Sequence, residues 1–153
     1  MSGITATQKE NLLQAALEIT CDCGWKVFPV KPREKIPLTE HGCKDATSNE
    51  RTIVAWGEKW PDANIGVATG QASGIVVLDV DKRHGGDDSL FELEQKHGEL
   101  PKTVEVITGG GGRHIYFKYP SGDVTVKNAA GLAGIAGLDI RGDGGYVVAP
   151  PSV

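Results

Sequence analysis

Two aspartates separated by a single valine close an apolar run in "VVLDVDKRHGG" (76–86). On an extended strand, residues two apart project to the same face. Asp79 and Asp81 therefore stand together, roughly 6–7 Å apart at the backbone. Two carboxylates on one face repel, and each is costly to desolvate. A divalent cation relieves both costs, because hard cations take oxygen ligands. The same repulsion predicts that removing either acid stabilises the metal-free fold. Read from this dipeptide alone, the alternative is a solvated turn, with Asp81 opening "DKRHGGDD" and Asp79 capping a neighbour. A phosphatase of the Asp-x-Asp-x-Thr type fits less well, since Arg83 stands where that pattern has threonine.

Three other stretches carry residues of the same chemical kind. "TGGGGRHIYF" (108–117) sets four glycines directly before Arg113 and His114. Such a loop either lets phosphates approach backbone N–H groups, with Arg113 and His114 adding charge and directional donors, or simply closes a hairpin. "GLDIRGDGGYVVAPPS" (137–152) ends another apolar strand on an acid, Asp139. Arg141 shares its face by the period of two, which also fits a plain surface ion pair. Asp143, inside "GDGG", reads as a turn residue. "KPREK" (31–35) is a basic loop that either stays solvated or holds a triphosphate tail.

These residues need elements to hold them. Residues 6–20 show leucines at helical spacing, with Thr7 as N-cap. "GWKVFPV" (24–30) reads as a strand ended by Pro32. Ser48 or Asn49 caps a second helix that runs to Trp60 before Pro61. "NIGVATG" and "GIVVLDVD" read as strands joined by a turn with Gly70, Ser73 and Gly74. Residues 87–98 read as a helix with Gly98 at its C-terminal side. "TVEVIT" and "RHIYFKY" bracket the four glycines, and "LDIR" and "YVVAP" bracket "GDGG" as a second hairpin-like pair. This order predicts an α+β fold with a mixed or antiparallel sheet, residues 1–153 forming one domain.

Bulk properties exclude several classes. A chain of 153 residues with 39% hydrophobic and 24% charged residues is globular. No apolar stretch approaches the ~20 residues of a membrane span, and the N-terminus shows no signal peptide, so a cytoplasmic location is expected. A net charge of −4 confines any nucleic-acid contact to a local patch. Three cysteines, Cys21, Cys23 and Cys43, suit a reducing compartment, and with His41 they match no common zinc spacing.

Taken in order, "GWKVFPVKPREKIP", "HGCKDAT", "WPDANIGVATG", "GIVVLDVD", "GGRHIYF" and "LDIRGDGGYVVAPPS" resemble the N-terminal domain of the bifunctional DNA primase/polymerase family, within the archaeo-eukaryotic primase superfamily. That family occurs in plasmid, phage and prophage replication proteins. The resemblance runs from about Gly24 to Ser152. It implies an RRM-like catalytic sheet beside a smaller N-terminal α/β part, with the active site in the cleft between them. It places the paired catalytic acids on Asp79 and Asp81, the nucleotide-contacting histidine on His114 and the third acid on Asp139. Asp79, Asp81 and Asp139 would then hold two Mg²⁺ or Mn²⁺ ions. Lys35, Arg113, His114 and Arg141 would contact a dNTP or NTP. The partners implied are a single-stranded DNA template and primer, and a helicase or helical module in the same or a neighbouring chain. Since family members usually continue past "PPS", the chain reads as an excised domain or a short stand-alone form. Two other functions fit the same residues. One is a non-catalytic nucleic-acid or nucleotide-binding module of a replication complex. The other is a metal-dependent phosphohydrolase, for which no residue stands out as the base that activates water.

Overall fold

The computed structural model describes residues 6–152. It is a mixed helix and sheet fold of the α+β kind, and the chain divides into two compact units. The first holds residues up to Ala68 together with those from Tyr146 onward, and the second runs from Thr69 to Gly145.

In the first unit, α1 (Ala6–Glu18) and α2 (Glu50–Lys59) accompany a three-stranded antiparallel sheet. Its strands are β1 (Val27–Val30), β2 (Asn64–Ala68) and β7 (Tyr146–Ala149), with β2 in the centre. Every residue of β1 and β2 is buried, so neither strand shows the alternation of a half-exposed sheet. Gly66 explains how an aromatic core fits across β2. A Cβ there would lie 2.5 Å from Cζ of Phe28, whose ring meets Tyr146 edge to face at 5.2 Å. Asn49 caps α2 by accepting from the Thr52 N–H at 3.0 Å, and Trp60 ends the helix, as the sequence indicates. The first helix differs from expectation. Thr7 lies inside α1, and the helix widens into a π-helical turn over Ile19–Cys23. There the Thr20 hydroxyl donates to the Leu17 carbonyl, competing with the regular ladder, and Gly24 closes the turn at φ 69°.

The second unit is a four-stranded antiparallel sheet in the order β4-β5-β3-β6. Its strands are β3 (Ile75–Val80), β4 (Glu105–Ile107), β5 (Arg113–Lys118) and β6 (Leu138–Arg141), with α3 (Gly86–His97) linking β3 to β4. This link passes over β5, a split β-α-β arrangement. One face of the sheet carries Leu78, Val80, Ile115 and Leu138, which cluster with Leu90 of α3. Helix α3 ends where Gly98 takes φ 92°.

The β4-β5 hairpin forms as expected around the glycines. "LDIR" and "YVVAP" do not pair with each other: β6 joins β3, and β7 joins β2 of the other sheet. Asp143 is the physical reason. Its N–H donates to the Val126 carbonyl at 2.8 Å, and its carboxylate accepts from the Gln71 N–H and the Tyr119 hydroxyl at 2.9 and 2.8 Å. The "GDGG" stretch is thereby tied to residues 71, 119 and 126 rather than closing a tight hairpin. For a similar reason β2 and β3 belong to different sheets, with Gly70 turning the chain at φ 77°.

Candidate active site

Strand β3 has two chemically different faces. Leu78 and Val80 enter the apolar cluster, which sends Asp79 to the other side, and Asp81 follows at the strand's end. Strand register then decides what joins them. Asp79 is the direct partner of His114 on β5 and of Asp139 on β6. Direct partners share a face, so Asp139, Asp79 and His114 form one row across three strands. Arg141 is opposite Val77 and lies on the same face.

The side chains in this row are already engaged. His114 Nε2 lies 3.5 Å from Asp79 Oδ1. Arg141 Nη2 lies 3.3 Å from Asp79 Oδ2 and 3.4 Å from Asp139 Oδ2. Asp139 Oδ1 accepts from the Gly131 N–H at 2.6 Å. Burial pushes the Asp79 carboxyl upward, but His114 and then Arg141 outweigh it and hold the group below its ordinary value of 3.8. His114 is 6% exposed, and its Nδ1 is buried with no hydrogen-bond partner. A buried polar atom without a partner calls for an explanation, and a ligand that completes it is one.

Asp81 lies just past the end of β3, capping the turn that follows, and is turned to its own local partners. Its Oδ2 lies 2.6 Å from His84 Nδ1, and its Oδ1 accepts from the Arg83 N–H at 2.9 Å. His84 is the main cause that lowers its pKa, while the like charge of Asp79 works in the opposite direction. Two glycines that the sequence reading gave no role fix its backbone. The Asp81 N–H donates to the Gly137 carbonyl at 2.8 Å, and the Gly86 N–H donates to the Asp81 carbonyl at 2.9 Å. A Cβ on Gly86 would lie 2.5 Å from the Gly137 carbonyl oxygen and 2.8 Å from Asp81 N. Their signal in the sequence was position alone, each just beside an acid-bearing strand.

The remaining candidates lie elsewhere. Arg113 follows strand alternation to the face opposite His114, where its Nε lies 3.2 Å from Glu105 Oε1. It therefore does not join the row of acids. Lys35 belongs to the first unit, in an exposed loop whose Lys35 carbonyl accepts from the Tyr146 hydroxyl. The glycine run is a tight turn. Thr108 N–H donates to the Gly112 carbonyl at 2.9 Å, Gly111 has φ 80°, and a Cβ on Gly112 would meet the Val80 carbonyl oxygen at 2.5 Å. No disulfide joins the three cysteines, and Cys21 and Cys23 are exposed.

The donor set suits a hard cation. Asp79 and Asp139 are carboxylates opposite each other, and a positive group already lies against both; a third carboxylate, Asp81, follows at the end of β3. Among the described residues no three His, Cys, Asp or Glu side chains are gathered as they would be around a bound ion, Asp81 being turned to His84.

With this sheet, its row of acids and the buried histidine in place, comparison with known families becomes informative. The family model of the bifunctional DNA primase/polymerase N-terminal domain matches residues 16–153. The chain belongs to that family, and its function is related to DNA priming and polymerisation, with DNA and nucleotides as the substrates that membership implies. No curated protein matches the chain. No described helix is long and apolar enough to cross a membrane.

Proposed function

We propose that the chain is a template-directed nucleotidyltransferase, extending a primer on a single-stranded DNA template by a two-metal mechanism during replication of a mobile or extrachromosomal element. The observation that carries this reading is the row Asp139–Asp79–His114 across β6, β3 and β5, with Asp81 just past the end of β3. The sheet order β4-β5-β3-β6, with a split β-α-β crossover, supports an RRM-like catalytic sheet.

In this transfer a 3′-hydroxyl attacks the α-phosphorus and pyrophosphate leaves. Bound Mg²⁺ or Mn²⁺ supplies Lewis-acid stabilisation of the entering and leaving oxygens. Asp79, Asp81 and Asp139 are the oxygen donors that would hold the ions. His114 is anchored through Nε2 on Asp79, leaving Nδ1 to meet a triphosphate oxygen; in the imidazolium form both nitrogens donate. Arg141 would add positive charge for the phosphates. The catalysis is positioning and electrostatics, without a covalent protein intermediate.

The test is pyrophosphate release with Mn²⁺ and a dNTP or NTP, with and without a primed template. Template-dependent release supports the transferase. Release of phosphate or pyrophosphate at the same rate without template would make it a phosphohydrolase, and nucleotide binding without turnover would make it a binding module.

A further inference from the structure

The four oxygens of Asp79 and Asp139 are not equivalent. Asp79 Oδ1 faces His114 and Asp139 Oδ1 accepts from Gly131, so both are occupied by fixed parts of the sheet and its loop. Both Oδ2 atoms converge on one nitrogen, Nη2 of Arg141. That nitrogen belongs to a long side chain that is 30% exposed, so its guanidinium has a route to solvent. The two acids are less exposed or similar, at 19% and 31%. Carboxylates this close need a cation, and a tethered guanidinium meets that need while no other ion is bound.

We propose that Arg141 is the resident counter-cation of the Asp79–Asp139 pair, and that a divalent metal enters this site by exchange with it. This rests on the metal-site reading above and adds a specific event to it: Arg141 leaves the two Oδ2 atoms as the ion arrives. The alternative role is a fixed orienting residue that stays on the carboxylates while the ion binds. The two roles make opposite predictions. A displaced cation competes with the metal, so removing it tightens metal binding. An orienting residue helps the metal, so removing it weakens binding.

The experiment measures Mn²⁺ binding to the nucleotide-free protein by calorimetry and by loss of the free-ion electron paramagnetic resonance signal. Wild type is compared with Arg141→Met, Arg141→Lys and Asp79→Asn, each checked for fold by circular dichroism. Exchange predicts that Arg141→Met binds Mn²⁺ about tenfold tighter or more, equivalent to ~1.4 kcal/mol. Arg141→Lys, with a point charge in place of the planar fork, falls between them. It keeps the test open if the methionine variant does not fold, since orientation by the fork would instead make Arg141→Lys bind more weakly than wild type. Exchange also predicts a larger Mn²⁺-induced rise in Tm for Arg141→Met than for wild type. Equal or weaker Mn²⁺ binding in folded Arg141 variants, with binding still lost in Asp79→Asn, overturns the exchange and leaves the metal site standing. Binding that is undiminished in Asp79→Asn overturns both.

Discussion

Asp79 and Asp139 face each other across β3 and β6 and share one arginine nitrogen, at 3.3 and 3.4 Å. The pair thus already has one cation against it before any ion binds, and this changes what mutations at the acids should do. Carboxylate repulsion alone predicts a stabilised fold on removing an acid. In the structure Asp79 pairs with the Arg141 guanidinium and the His114 ring, so the expectation reverses. Asp79→Asn should destabilise the metal-free protein by about 1–3 kcal/mol, read as a lower Tm, because it leaves Arg141 and His114 with weaker partners. A Tm equal to or above that of wild type would show the pairing to be without energetic weight.

Acid stability follows from the same contacts. The folded pKa of Asp79 lies below its ordinary value of 3.8. Its ionised form therefore contributes stability that is fully present above about that pH and is lost as pH falls through the depressed value. Denaturant titrations of wild type should show a decline beginning below pH 4, and Asp79→Asn should flatten that part of the curve. An unchanged profile in the variant would place the acid sensitivity elsewhere.

At the alkaline end the relevant group is Tyr116, whose buried hydroxyl is pushed from 10.0 up to about 12. The folded state keeps that proton after the unfolded chain has lost it. Stability is thus fully present below pH 10 and declines between pH 10 and about 12. Tyr116→Phe should remove this component of base unfolding, read as a smaller loss of stability across that interval.

His114 links fold to nucleotide use. Its ring is buried, with one nitrogen on Asp79 and the other free of any hydrogen bond. His114→Gln should raise the KM for nucleotide more than it lowers kcat. A kcat loss at constant KM would mean that Nδ1 does not meet the triphosphate.

The glycine pair behind Asp81 gives a test of positioning. Gly86→Ala drives a methyl into the Gly137 carbonyl and the Asp81 backbone. It should cost about 1–3 kcal/mol and reduce extension. Gly109, with open space where its Cβ would go, is the control, and Gly109→Ala should leave stability unchanged. Equal effects at the two positions would contradict the packing argument.

What could be read in advance follows a physical line. Alternation on β3, the Asn49 cap and the Gly98 stop are local signals, and they gave the elements and the face of Asp79 opposite the apolar cluster; Asp81, past the strand's end, is turned to His84. The motif order pointed to His114 and Asp139, and strand register brings them beside Asp79. Strand partnership of "YVVAP" was hidden, because it depends on hydrogen bonds from Asp143 to residues distant in the chain. The face of Arg113 was available from alternation with His114, yet proximity to the histidine suggested a shared role, whereas the sheet turns Arg113 to Glu105. The Gly86–Gly137 contact is a packing fact between the start of α3 and the residue before β6, and nothing in either local stretch announces it.

The central claim is that Asp79 and Asp139 hold the ions of a template-directed polymerase. The most direct measurement is primer extension on single-stranded DNA with Mn²⁺ or Mg²⁺, comparing wild type with Asp79→Asn and Asp139→Asn, all confirmed as folded. The account predicts metal-dependent extension by wild type and a loss of at least about a hundredfold in each variant. Extension that persists in either variant at the wild-type rate would contradict it.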